Sequence, residues 1–468
     1  MLGKPVTTPC SSPASSGLAL PTGSALTILA AVSTGFVVAA LDLTVVNVAG
    51  PELRRSLDLS VESLTWAVDA YILTFASLLI LAGAAASRFG ARRLYVSGLT
   101  LFVLASVACA LAPTGAVLIG ARAVQGCAAA LFIPASLVLL TSLFRDPEQR
   151  ARMVALWSTA GAAASGVGPV VGGLLVSSLG WRSIFFLNVP VGVVGLVATL
   201  RVVSHSPTTA AKRIEYLQHV LLLIAVTAAA LLLIGGPSHD WAGATVTTSA
   251  VAAVVFAVLF VARERSSNAP IWPRELVRRQ GFSSMTAVGF GLNFGLYGIL
   301  YALGLLLQEE YGLSAGRAGL QLLPIMLVFV AANLAFARVV AKVGVRWPVI
   351  IGLVVAAAAY VPVLLLGPRI GLLGLTVSLM IANAGLGVAA PAMTVGVMES
   401  AGNAYSHVAS STFNATRQFG TLFGVAVAGS VIASTPTLTG ALSILLVVAC
   451  ASYLLSAASV RPFTRSAG

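Results

Sequence analysis

The chain has 468 residues, of which 58% are hydrophobic and 9% charged, and its mean hydropathy is +0.99. A soluble globular protein carries about 25% charged residues, so this composition provides too few to cover a water-exposed surface. The 27 basic and 14 acidic residues give a net charge of +13. In a membrane protein such an excess marks the cytoplasmic side and gives no evidence of a nucleic-acid partner.

Apolar runs long enough to cross a membrane recur along the whole chain. A bilayer core about 30 Å thick needs about 20 mostly apolar residues per helix. On this criterion the sequence predicts about fourteen transmembrane helices and an all-α membrane protein. The predicted spans are residues 25–49, 62–86, 94–112, 115–141, 152–178, 183–203, 217–235, 242–262, 282–307, 316–341, 348–366, 369–391, 408–433 and 437–460.

The basic residues orient these spans. With the N-terminus inside, 20 basic residues fall in cytoplasmic segments, 5 outside and 2 within spans. This asymmetry predicts a multi-pass membrane protein with both termini in the cytoplasm.

A weak internal repeat suggests how the spans are grouped. The basic-Gly-basic turn at 88–92 recurs at 342–346, and Pro134 has a counterpart in Pro391. Either pair alone is as well explained by chance, but together they favour two six-helix halves separated by an inserted hairpin. The predicted organisation is a disordered cytoplasmic tail (1–24), an N-terminal bundle (25–203), the hairpin (204–265), a cytoplasmic linker (266–281), a C-terminal bundle (282–460) and a second tail (461–468).

Ionisable residues inside spans are costly and usually functional. There are four strong candidates: Asp42, Asp69, Arg122 and Arg417. The helical rise places the first three about 10 Å below the outer membrane face, where they can meet. We predict a proton-coupling cluster of Asp42, Asp69 and Arg122, in which the arginine keeps one carboxylate ionised and the other carries a proton. The alternative for Asp69 is an interfacial side chain.

Span five carries a stripe of small residues at Gly161, Ser165, Gly168 and Gly172. Such a stripe allows a neighbouring helix to approach closely. Tight packing is the commoner use of such a stripe, whereas Pro169 and Gly173 favour a bend or a sliding contact.

Aromatic and amide side chains suggest where a ligand binds. Asn293, Tyr297 and Tyr301 follow at steps of four residues in span nine, beside Phe294. Ligand sites are mostly apolar with a few polar anchors, although core packing explains such a stripe about as often. The predicted substrate-binding residues are Asn47, Trp66, Tyr71, Gln125, Asn293, Phe294, Tyr297, Tyr301 and Arg417.

Enzyme chemistry has little support in the sequence. Only three lysines occur, and none lies in a phosphate-binding loop; the four histidines are scattered without metal-ligand spacing. We therefore predict no catalytic residues, no metal and no cofactor.

Five motifs resemble the major facilitator superfamily, and specifically its fourteen-span drug:proton antiporter branch. They are residues 41–48 (LDLTVVNV), the set Arg122, Gln125, Gly126 and Ala130, residues 168–173 (GPVVGG), residues 181–190 (WRSIFFLNVP) and residues 308–324. Residues 66–83 are similar to antibiotic exporters of actinomycetes.

The resemblance implies a major facilitator fold, two six-helix bundles plus two inserted helices, and proton-coupled multidrug or antibiotic efflux by alternating access. It links Arg122 to proton coupling and the motif at Gly168, Pro169, Gly172 and Gly173 to exporters. The implied location is the bacterial inner membrane, and the implied partners are a small-molecule drug, protons and lipid, with a monomeric protein and no nucleic acid. A non-transporting sensor, an importer and a lipid flippase are the alternatives. Substrate charge stays open, because two acids favour a cation and two arginines an anion or a neutral oxygen-rich molecule.

One motif departs from the family pattern. In the gate loop after span two, Gly83, Arg88, Gly90, Arg92 and Arg93 match, but Ser87 replaces the family's acid. We expect the cytoplasmic gate to be held more weakly, or by another acid such as Asp146 or Glu148.

Overall fold

The computed structural model describes residues 22–144, 146–203, 216–239, 241–267 and 270–460. Within these ranges the chain is helical, and twelve segments are long and apolar enough to cross a membrane. One of those segments, Arg346–Gly402, contains two helices. Both predicted tails, apart from residues 22–24, and the first residues of the predicted hairpin lie outside the described residues.

Eight helices make up the first half of the chain and the inserted hairpin. They are α1 (Thr22–Leu57), α2 (Val61–Phe89), α3 (Ala91–Ala110), α4 (Gly115–Leu143), α5 (Pro147–Leu179), α6 (Arg182–Val202), α7 (Tyr216–Gly235) and α8 (Ala244–Ser266).

Six long helices follow in the second half. They are α9 (Gln280–Leu305), which continues as a π-helical turn (Leu306–Glu310), α10 (Ala315–Ala337), α11 (Arg346–Leu366), α12 (371–401), α13 (403–434) and α14 (Leu438–Ser459). Short helical turns at Arg274–Arg278, Val340–Val343 and Gly367–Ile370 join them.

Helices α12 and α13 are the two arms of one 64-residue segment, Gly371–Ser434. A straight helix of that length would extend about 96 Å, roughly three times the bilayer core. Gly402 breaks it with φ 64° and ψ 178°, a backbone conformation that favours glycine. The described part of the chain therefore contains fourteen membrane-length helices, as the apolar runs predict.

Polar caps and glycine turns mark the helix ends. Ser60 and Asp146 cap α2 and α5 by accepting hydrogen bonds from the backbone N–H groups of Ser63 (3.1 Å) and Gln149 (2.7 Å). Gly90 and Gly344 turn the chain at positive φ, 94° and 82°. These two glycines lie in the two basic turns of the predicted repeat, so the repeated sequence has a repeated backbone feature.

The helices pack as two bundles with a hairpin between them in the chain. Helices α1 to α6 pack on one another, as do α9 to α14. The bundles meet along three seams, α2 on α13, α5 on α10 and α1 on α9. Helix α7 packs on both α2 and α13, where Ala230, Ile234 and Ala426 form a small buried cluster beside Trp66, and α8 packs on α7.

Two faces of α5 allow close helix approach. On one face, a Cβ at Gly168 would overlap Thr44 of α1, and one at Gly172 would overlap Val45. On the other face, a Cβ at Gly173 would overlap the backbone of Ala315 in α10. Helix α5 thus contacts its own bundle through the predicted stripe and the opposite bundle through Gly173.

Candidate functional site

A buried ion pair lies at the centre of the first bundle. Arg122 of α4 donates from Nη1 to Oδ2 of Asp42 in α1. Asn188 of α6 donates from Nδ2 to the other oxygen, Oδ1, at 2.8 Å. Asp42 is 3% exposed and Arg122 1%, so both charges are removed from solvent and pair with each other within the protein, while Arg122 Nη2 has no hydrogen-bond partner in the described structure.

Further hydrogen bonds close this pair into a ring. Arg122 Nη1 also donates to Gln125 Oε1 (2.9 Å), and Gln125 Nε2 donates to Ser106 Oγ (2.8 Å). Asn188 reaches the same hydroxyl at 3.4 Å. We call these five side chains, from α1, α3, α4 and α6, the polar ring: Asp42, Ser106, Arg122, Gln125 and Asn188.

Helix α2 holds the Arg122 side chain in place. The Nε of Arg122 donates to the Ala67 carbonyl at 3.0 Å, and the guanidinium carbon of Arg122 lies 4.6 Å from the Tyr71 ring centroid. The close packing depends on Gly126, where a Cβ would overlap the Tyr71 backbone. The contacts of Arg122 with α2 therefore depend on the absence of a side chain at Gly126, one turn later in α4.

Asp69 does not join the polar ring. It is fully buried, and neither carboxylate oxygen has a hydrogen-bond partner in the described structure. Thr65, one turn earlier on the same face of α2, shares a hydrogen bond of 3.0 Å with Tyr301 of α9, and a Cβ at Gly429 of α13 would overlap Thr65. Asp69 therefore lies near the boundary between the two bundles.

The predicted substrate-binding residues fall into separate environments. Tyr71 and Gln125 lie inside the first bundle, with the polar ring. Trp66 packs beside the α7 cluster, and Asn47 donates to the Leu43 carbonyl of its own helix at 3.2 Å. Tyr301 contacts α2. These five do not form one pocket.

A second group lies between α9 and α13. Asn293 donates to the Arg417 carbonyl at 3.1 Å and to Thr421 Oγ1 at 3.3 Å. Tyr297, one turn further along α9 on the same face as Asn293, is half-buried, while Phe294 stacks on Phe290. The structure therefore brings Asn293, Tyr297 and Arg417 together in the second bundle.

One end of the molecule, the end with the α1–α2 connection, is tied between the bundles. Arg54 donates from Nη1 to both oxygens of Glu309, at 2.8 and 3.0 Å. Gln308 donates to the Val48 carbonyl at 2.8 Å. Glu309, which accepts, and Gln308, which donates, both belong to the π-helical turn after α9.

The gate motif lies at the opposite end. Arg92 donates to the carbonyls of Val203 (2.6 Å) and Leu200 (3.3 Å), so it binds the C-terminal end of α6 within its own bundle. Arg88 is exposed, and a Cβ at Gly83 would lie 3.7 Å from Ser411 Oγ of α13. The Ser87 side chain lies outside the described residues. Of the two substitute acids, Asp146 caps α5 and Glu148 is exposed.

The sequence interpretation missed Asn188 and Ser106 as members of the site. Asn188 is a polar residue within the apolar run of α6 and belongs to the motif at residues 181–190. A polar side chain at membrane depth was therefore a signal that the sequence already carried. Ser106 carried no comparable signal, since isolated serines are common in spans and this one also donates to the Phe102 carbonyl of its own helix.

Two six-helix bundles that meet along shared seams, with charged side chains buried in their membrane-spanning helices, are the architecture typical of a multi-pass membrane transporter. The family model described as Major Facilitator Superfamily matches residues 32–425. The chain belongs to that superfamily, and it is therefore a transporter and not an enzyme.

Individual relatives agree with this assignment. The chain is 42% identical to the methylenomycin A resistance protein of Streptomyces coelicolor, over 96% of this chain and 94% of that protein. It is 41% identical to the methylenomycin A resistance protein of Bacillus subtilis, over 87% of each. The solved D-xylose-proton symporter shares the fold, with a TM-score of 0.68 and 15% identity over 94% of this chain and 97% of that one.

Proposed function

We propose that this protein is a drug:proton antiporter that exports a small antibiotic across the bacterial cell membrane by alternating access. The two relatives at 41% and 42% identity are named as antibiotic resistance proteins. In this proposal the α1–α2 end faces outward, both termini are cytoplasmic, and the protein works as a monomer. The observation that carries the proposal is the unpartnered Asp69 carboxyl buried close to the contact between the two bundles.

The two acids take different roles in this mechanism. Asp42 keeps its charge, because Arg122 and Asn188 satisfy both of its oxygens. Asp69 has no such partners, and an unpaired buried carboxylate is costly. Asp69 is therefore the proton carrier: it is loaded from outside when the α1–α2 end opens, is buried as the neutral acid, and releases the proton toward the cytoplasm in the next half-cycle.

The test is drug resistance of a sensitive bacterial host that produces the full chain. Methylenomycin A heads a panel of antibiotics, and resistance and cell-associated drug are measured with and without an uncoupler. We expect wild-type cells to hold less drug and to lose that advantage with the uncoupler. Asp69→Asn keeps the shape of the neutral acid but cannot release a proton, so it should be made at normal levels and lose proton-driven efflux.

Thr65→Val is the matched control, because it removes a polar group one turn away on the same face of α2 without changing a titratable group. It should retain most of the efflux. Efflux by Asp69→Asn with the wild-type response to the uncoupler would contradict the assignment of the proton carrier. Drug accumulation that rises with the proton gradient would indicate import.

A further inference from the structure

The two arginines inside the spans differ in how their charges are balanced. Arg122 pairs with Asp42, but Arg417, near the middle of α13, has no carboxylate within 4 Å among the described residues. Its Nε atom is buried and has no hydrogen-bond partner there. A guanidinium at this depth is costly unless it faces water or a counter-charge, so Arg417 carries a positive charge that the protein itself does not neutralise.

The surroundings of Arg417 suit an organic molecule. Its guanidinium carbon lies 5.7 Å from the Phe413 ring centroid, and Tyr297 follows one turn of α9 after Asn293, which donates to the Arg417 carbonyl. Its aliphatic stem packs against Gly289 of α9, where a Cβ would lie 3.1 Å from Arg417 Cγ. Aromatic side chains beside a guanidinium group are the arrangement expected of a site for a partly apolar ligand with one charged group.

The α2–α13 seam shows which part of the other bundle lies at the same level as Arg417. A Cβ at Gly429 would overlap Thr65, and a Cβ at Gly83 would lie 3.7 Å from Ser411. These antiparallel contacts place Arg417 level with Ser77, but the face of α2 that meets α13 carries Thr65 and Gly83, and Ser77 lies about 120° around the helix from it. Asp69 is eight residues, about 12 Å, nearer the α1–α2 end, which is too far to pair with Arg417.

From this geometry we propose that Arg417 is the anchor of an anion site, and that the exported compounds are small organic anions, typically carboxylates, with an apolar body. The guanidinium binds the carboxylate through charge-assisted hydrogen bonds, and Tyr297 and Phe413 contact the apolar part. This inference rests on the proposed function, because it names the substrate class for the same exporter.

Equilibrium dialysis of the purified full chain in lipid nanodiscs tests the site without any proton gradient. The probes are 1-naphthoate, its uncharged methyl ester and the cation tetraphenylphosphonium. We expect naphthoate to bind best, with a Kd at least about tenfold weaker in Arg417→Gln and a smaller loss in Arg417→Lys. Ester binding should be the same in all three proteins. Arg369→Gln, which removes an exposed arginine of the same bundle, should bind naphthoate normally.

Equal binding of naphthoate and its ester, preference for the cation, or naphthoate binding unchanged in Arg417→Gln would overturn the anion site. The host assay separates this failure from failure of the exporter proposal. If uncharged drugs are exported while carboxylates neither bind nor leave the cell, the substrate class is wrong and the exporter stands. If no compound is exported, the exporter proposal falls, whereas the dialysis still reports directly on Arg417.

Discussion

At the residue scale, the polar ring shows how a membrane protein accommodates a full charge pair far from water. Asp42 accepts from Arg122 on one oxygen and from Asn188 on the other, so little of its hydrogen-bonding capacity is lost on burial. Arg122 donates to Asp42, Gln125 and the Ala67 carbonyl. The pair is therefore a unit, and removing either charge leaves the other buried without its partner.

A double-mutant cycle measures this dependence. Asp42→Asn and Arg122→Gln should each lower the free energy of unfolding by about 3–5 kcal/mol, because each leaves one uncompensated buried charge. The double variant should lose less than the sum of the two, since neither charge is then present. Reversible unfolding of the purified chain in detergent is the measurement. Additive losses would show that the two side chains do not act as a pair.

The position of Asp69 shows what depth alone cannot predict. Helical rise placed Asp42, Asp69 and Arg122 at one level, and Asp42 and Arg122 do meet. Ala67 and Tyr71 of α2 contact Arg122, whereas Asp69 lies two residues from each of them. Residues two apart point to different sides of a helix. Asp69 lies on the same side of α2 as Thr65. A count of residues along the span therefore predicted the depth of Asp69 in the membrane but not the side chains around it.

At the element scale, close backbone contact decides which side chains can meet. The α4 motif combines Arg122 with Gly126 one turn later, and α4 can approach α2 closely only because Gly126 has no side chain. The Thr74 hydroxyl of α2 reinforces the contact by donating to the Ala123 carbonyl at 2.8 Å. The glycine is as necessary to the site as the charge that it accompanies.

Gly126→Ala should therefore be destabilising by about 1–3 kcal/mol, because the added methyl group overlaps the Tyr71 backbone, which cannot rotate away. Efflux should fall as Arg122 moves away from Ala67. Gly120→Ala is the control on the same helix: its Cβ meets nothing within 4 Å, so stability should be unchanged or rise by up to about 1 kcal/mol. Thermal unfolding and efflux of both variants are compared. Equal behaviour of the two would contradict this account of α4.

Most helices of the fold are predictable from the sequence because each must bury a continuous apolar length. The break at Gly402 is predictable too, since residues 399–407 interrupt two apolar runs. The π-helical turn after α9 is not, because it extends α9 by five residues through Gln308, Glu309 and Glu310, whose polarity resembles that of an ordinary loop. Its conformation depends on partners in α1 and α14, which are distant in sequence.

At the scale of the whole molecule, the two bundles are tied at the α1–α2 end. Arg54 and Glu309 form the ion pair, with 28% and 33% of their side chains exposed, and Gln308 adds a hydrogen bond to the Val48 carbonyl. A partly exposed ion pair contributes about 0.2–1 kcal/mol. That is enough to shift the balance between closed and open forms severalfold, but too little to prevent opening.

Arg54→Ala should accordingly favour the form that is open at the α1–α2 end. A cysteine placed at Thr65, which is fully buried in the closed form, should react several times faster with a membrane-impermeant maleimide when Arg54 is removed, in a background without the native cysteines. Arg55→Ala is the matched control, because this neighbouring arginine is exposed and, within the described structure, donates only to the Pro51 carbonyl of its own helix. Unchanged labelling in Arg54→Ala would show that the ion pair does not hold this end closed.

The inserted hairpin makes the two flanks of the transporter unequal. Helix α7 lies across α2 and α13, and so covers one of the seams through which a lipid-dissolved compound would pass sideways into the interior. The α5–α10 seam has no such covering helix in the described part of the chain, and α10 is among its least buried spans. The second helix layer that screens the α2–α13 flank from the bilayer is thus missing on the α5–α10 flank of the described structure, where the backbone contact at Gly173 is itself the boundary between lipid and interior.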